Sequence, residues 1–97
     1  METITFEYQA MQPVKHRAHI GVVGSGDLEI LLEPSQDHRA HVAIRTSVDG
    51  FRETWKAVLE RFFRRCQPAA TIEINDFGAT PGVVALRLAQ AVEESQT

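Results

Sequence analysis

The feature that most constrains this chain is a change of period. Its first half is built of short runs in which apolar residues alternate with polar ones, and from Asp49 onward Phe51, Trp55, Val58, Leu59 and Phe62 recur at helical spacing. Residues 2 to 8 set Ile4, Phe6 and Tyr8 against Thr3, Thr5 and Glu7, the pattern of a strand with one buried face. A second strand is expected from about Arg17 to Val23, with Ala18, Ile20 and Val22 on one face and His19 and Gly21 on the other. A third runs from Leu28 to Leu32 and ends at Pro34, and a fourth, Ala40 to Thr46, turns Val42 and Ile44 inward.

The helical run that follows has Asp49 as its expected N-cap, and Arg61, Arg64 and Arg65 complement the negative end of its dipole. Pro68 interrupts it, and Thr71 to Asn75 alternates again as a fifth strand. Thr80 and Pro81, a capping residue before the residue best suited to the first helical position, then open a second helix. Val84, Leu88 and Val92 form its buried stripe, while Glu93 and Glu94 oppose the dipole and favour fraying of its end.

The order of strands, helix, strand, helix predicts a single α+β domain over residues 1–97, a two-layer arrangement of a mostly antiparallel sheet of about five strands with two helices on one face. The first four strands are expected to form an antiparallel meander. The fifth should return through the first helix by a right-handed crossover and lie parallel or nearly parallel to its neighbour.

A chain of 97 residues supports one core of modest size without a deep catalytic cleft, which favours a carrier or binding module. A net charge of -3 argues against nucleic-acid binding, which calls for a basic face. The N-terminal residues lack the pattern of a secretory signal, and no apolar run is long enough to span a bilayer, so a cytoplasmic protein without membrane contact is expected. The single Cys66 excludes an internal disulfide and suits a reducing compartment. Lying after Arg64 and Arg65 at a helix end, it reads as a partly buried, inert thiol.

Between the second and third strands, Gly24 and Gly26 flank Ser25, and both glycines can take positive φ, so the chain can reverse and leave the serine hydroxyl at a loop tip. From spacing alone this is an ordinary turn or a modified serine. A nucleophile elbow would need glycines where Val23 and Asp27 stand, a dinucleotide fingerprint would need a third glycine, and a phosphate loop would need a Gly-Lys-Ser/Thr ending. Paired histidines, His16 with His19 and His38 with His41, would share a face on a helix but not on strands, so no metal site is expected. Asp76-Phe77-Gly78 spells the magnesium triplet of kinases in a chain too short to be one. Trp55 and Phe62 read as core and Phe63 as an exposed residue off the stripe. Solvated helix charges are the plain reading of Arg61, Arg64 and Arg65.

The stretch from Gly21 to Pro34, together with Asp76-Phe77-Gly78-Ala79-Thr80-Pro81-Gly82-Val83-Val84, resembles the acyl carrier protein of malonate decarboxylase, its small delta subunit. That resemblance implies a noncatalytic subunit whose Ser25 bears a phosphodiester-linked phosphoribosyl-dephospho-CoA group, with the acetyl or malonyl unit on its terminal thiol. Gly24 and Gly26 would then give a prosthetic-group transferase access to Ser25, and Asp27 would orient the site. Acyltransferase and decarboxylase subunits would be the partners. In the common helical carriers the modified serine follows an aspartate at a helix start, whereas here Asp27 follows Ser25 between strands, which agrees with the malonate decarboxylase type. The carrier (gamma) subunit of citrate lyase fits the motif less well, and an unmodified interaction subunit is the alternative of another class. For Asp76 to Val83 two readings stand: an anion site at the Gly82 and Val83 N–H groups, or a helix cap with Phe77 in the core.

Overall fold

Three strands with an aliphatic residue at every second position take the centre of the sheet, because each can bury one face completely. The computed structural model describes residues 1–21 and 27–97. Its elements are β1 (Glu2–Gln9), β2 (Ala18–Gly21), β3 (Leu28–Pro34), β4 (Arg39–Thr46), α1 (Arg52–Arg65), β5 (Ala70–Asp76) and α2 (Pro81–Gln96). The strands form one sheet in the order β1-β4-β5-β3-β2. Leu28, Ile30 and Leu32 of β3, Val42 and Ile44 of β4, and Ile72 and Ile74 of β5 point to one face and are buried, joined there by Trp55, Leu59 and Phe62 of α1 and Val84, Leu88 and Ala91 of α2. Each large aliphatic side chain so buried contributes about 1.5–3 kcal/mol. The two-layer α+β reading is therefore the observed architecture.

The expected meander is not. Of the first four strands only β2 and β3 pair as antiparallel neighbours in sequence; β1 pairs with β4, and β5 lies between β3 and β4, antiparallel to the first and parallel to the second. Residues 35–38 need to reach only about 10 Å, two strand spacings, to pass from β3 to β4 over the start of β5. Ser35 N–H donates to the Ala69 carbonyl at 3.0 Å where they do so. Placing β5 in the gap satisfies both of its hydrogen-bonding edges, which a meander would have left half open.

Three further expectations are corrected. Asp49 does not cap α1: the helix starts at Arg52 with Phe51 as N-cap and no side-chain bond, while the Asp49 carboxylate lies 3.9 Å from the N-terminal amine. Gly50, at φ +87°, turns the chain between them. Phe63 is 5% exposed, not a surface residue, because the flank of α1 leans on β1 and stacks the Phe63 ring on Tyr8 at 4.3 Å. The end of α2 persists to Gln96 despite Glu93 and Glu94. Tertiary bonds hold it: the Ser95 carbonyl accepts from the N–H groups of Lys15 and His16, and Gln96 Nε2 donates to the Pro13 carbonyl.

Candidate functional site

The expected attachment turn springs from the β2–β3 hairpin. Gly24, Ser25 and Gly26, with Val22 and Val23, lie outside the described residues, so the site is defined by its two legs. On the entering side Gly21 has φ +91°, and a Cβ there would meet the Leu28 carbonyl oxygen at 2.2 Å. Only glycine allows the legs to approach so closely. On the leaving side stands Asp27. Its Oδ1 accepts from the Leu28 N–H at 2.7 Å, its Oδ2 from Arg87 Nη2 at 3.0 Å, and its carbonyl from the Phe77 N–H at 2.9 Å. The Leu28 N–H, and after it the Arg87 guanidinium, hold the Asp27 carboxyl below the usual carboxylate range.

These bonds bring the two distant motifs together. Leu28 is paired with Asp76, so the hairpin leg, the end of β5 and the start of α2 share one end of the sheet. Asp76 is 4% exposed; its Oδ2 accepts from Thr46 Oγ1 at 2.8 Å and its Oδ1 from the Ala79 N–H at 2.9 Å. That carboxylate organises the 76–79 turn, in which Gly78 takes φ +97°. Thr80 then caps α2, accepting from Val83 N–H at 3.4 Å, with Pro81 following as expected. Since the cap takes the Val83 N–H, half of the anticipated anion donors is already used, and the segment is better read as a helix cap. Phe77 is half-buried rather than a core residue.

Beside this end an apolar cleft of about 270 Å³ opens between the starts of the two helices, walled by Phe51, Trp55, Val58, Pro81 and Val84. Cys66 lies at the far end of α1, and burial pushes its thiol pKa up, leaving less of the reactive thiolate at neutral pH. Of the paired histidines, His19 bonds Glu29 at 2.9 Å, and His41 bonds Asp37 at 2.7 Å and lies 3.4 Å from Glu7. Among the described residues no group of three or more His, Cys, Asp or Glu is arranged to hold a metal.

Sequence reasoning singled out Asp27 but missed Arg87 and Gly21. The signal for Arg87 was present: it is the one basic residue of α2, in a run otherwise apolar or neutral up to Val92. Its target, 60 positions earlier, was not legible.

Comparison with known proteins decides the family. A sequence model described as malonate decarboxylase delta subunit matches residues 15–95. The chain belongs to the malonate decarboxylase delta-subunit family. It is 54% identical over 95 residues to a protein named malonate decarboxylase acyl carrier protein in Azotobacter vinelandii, covering 97% of this chain and 96% of that one. It is 56% identical, at the same coverage, to the protein of that name in Pseudomonas syringae pv. tomato. The fold is similar to a chain in the crystal structure of a Pseudomonas malonate decarboxylase hetero-tetramer in complex with malonate, with a TM-score of 0.91 and 53% identity over 97% of this chain and 98% of that one. Membership of this delta-subunit family makes the chain a carrier, not a catalyst. No described helix is long and apolar enough to cross a membrane.

Proposed function

We propose that this chain is the acyl carrier subunit of a malonate decarboxylase complex and that Ser25 is joined by a phosphodiester to phosphoribosyl-dephospho-CoA. The observation that carries the proposal is the convergence of the Asp27 leg and the Asp76–Thr80 turn at one sheet end, in a chain matched along nearly its whole length by proteins of that name. The donor set fits an anionic arm. Arg87 sets a guanidinium beside the turn, Asp27 shares its charge, and Arg87 Nε is buried without a partner among the described residues. When bound, the group supplies the terminal thiol that carries acetyl or malonyl as a thioester.

The chain's own residues anchor and present. Ser25 offers the hydroxyl for attachment, Gly24 and Gly26 leave it open to a prosthetic-group transferase, and Asp27 ties the leg to the domain. A covalent arm raises the effective concentration of the acyl unit at each partner site without new contacts. The partners are the acyltransferase and decarboxylase subunits of a cytoplasmic assembly, with no role for nucleic acid or membrane.

Intact-mass measurement of the protein coproduced with its operon, followed by peptide mapping of residues 18–39, tests the attachment. Added mass equal to the phosphoribosyl-dephospho-CoA group on Ser25 is expected, and Ser25→Ala should abolish malonate turnover by the complex while leaving the unfolding transition in place. An unmodified Ser25 in a complex that still turns over malonate would overturn the proposal.

A further inference from the structure

Arg87 is the one charged residue among the first twelve of α2, between Leu86 and Leu88 on a helix whose Val84, Leu88 and Ala91 are buried. Such a residue must find a partner or reach water. It does so with Nη2 on Asp27 Oδ2 at 3.0 Å and Nη1 toward Gln90 Oε1 at 3.3 Å, its side chain only 29% exposed and that of Asp27 only 23%. A guanidinium half removed from water is worth more to its partner than an exposed one.

Asp27 is thereby held at both ends of the residue. Its side chain is tied to α2 and to the Leu28 N–H; its carbonyl is tied to Phe77, where β5 ends. The helix that carries Arg87 packs on both β2 and β3, the two strands from which the Ser25 turn springs. A rotation of the Asp27 leg would break the Arg87 bond and the Phe77 bond together.

Resting on the carrier reading above, we infer that Arg87 is a positioning residue for prosthetic-group attachment: through Asp27 it fixes the leg of the turn two residues after Ser25. With Asp27 already fixed, less freedom is lost when the transferase docks on this leg. Arg87 does not touch the reacting atoms. It acts through Asp27.

The test uses the full chain before loading, as wild type, Arg87→Met, Arg87→Lys and Asp27→Asn. Amide hydrogen exchange at Leu28 and Phe77 is measured first, then the rate of Ser25 loading by the transferase with its prosthetic-group donor, followed by intact mass and split into kcat and KM. Arg87→Met, which keeps the aliphatic stem, should speed exchange at both amides at least about tenfold while exchange in β4 stays unchanged, and should slow loading about 10- to 100-fold. Arg87→Lys should recover part of both losses and Asp27→Asn should resemble Arg87→Met. Unchanged exchange and loading in Arg87→Met would overturn the inference. Should the methionine variant not fold, the same comparison with Asp27→Asn decides it. If wild type accepts no group at all, the carrier reading fails, while the exchange comparison still decides whether Arg87 fixes the leg.

Discussion

The face of the sheet beneath the helices and the face turned away from them are made by the same strands, yet they are held in different ways. Beneath the helices, Leu28, Ile30, Leu32, Ile44, Ile72 and Ile74 are fully buried, and the aromatic rings of Tyr8, Phe62 and Phe63 close the α1 side. On the open face the alternate positions carry Glu7 with Arg39 at 2.7 Å, His19 with Glu29 at 2.9 Å and Arg45 with Glu73 at 3.6 Å. Exposed ion pairs of this kind each contribute about 0–1 kcal/mol, far less than a buried aliphatic side chain. Stability thus resides on one face. The open face can change its charge pattern at little cost to the fold.

The sharpest way to break this contrast is to cut into the covered face. Phe63→Ala should lower unfolding stability by about 3–5 kcal/mol in chemical denaturation, because it removes the ring stacked on Tyr8 and leaves a void. A loss under about 1 kcal/mol would show that α1 does not lean on β1 as described. Next in size is the point where helix and turn meet. Thr80→Ala should cost about 0.5–2 kcal/mol, since the Val83 N–H loses its cap while Pro81 continues to favour the helix start.

The smallest effect near neutral pH, and the most selective, is on the pH profile. Asp27, Glu29 and Asp37, held low chiefly by Leu28 N–H, Asn75 and His41 respectively, belong to the open face and the turn. Their folded values lie below the unfolded ones, so the stability they add is present above about pH 4–5 and is lost as pH falls through the folded values. Tyr8 and Cys66, raised by burial, belong to the covered side. They remain protonated longer in the folded state, so their contribution is lost as pH rises through the ordinary thiol and phenol range of about 8.5–10 and beyond. Denaturation midpoints measured across pH should therefore show the acid limb flattened by Asp27→Asn alone and the alkaline limb flattened by Tyr8→Phe alone. Either variant altering both limbs would erase the distinction between the faces.

Much of this fold is legible in the order of the residues. Period-two alternation located all five strands to within two or three residues at each described end, and the Thr80-Pro81 pair marked the start of α2 because capping is a local interaction. The parallel return of β5 beside β4 followed from the intervening helix. Phe63 and Asp49 depart from expectation for different reasons: helical spacing gives a stripe but not the angle at which a helix leans on its sheet, and a capping residue is useless if a glycine such as Gly50 delays the helix.

What the sequence by itself determined is the inventory: which stretches alternate, which spiral, which face of each is apolar, and that a serine stands between two glycines after β2. Only the tertiary structure decided who neighbours whom. The insertion of β5 between β3 and β4, and the grip of Arg87 on Asp27, join residues far apart along the chain, and such pairings depend on the summed burial of every strand and helix at once rather than on any local preference.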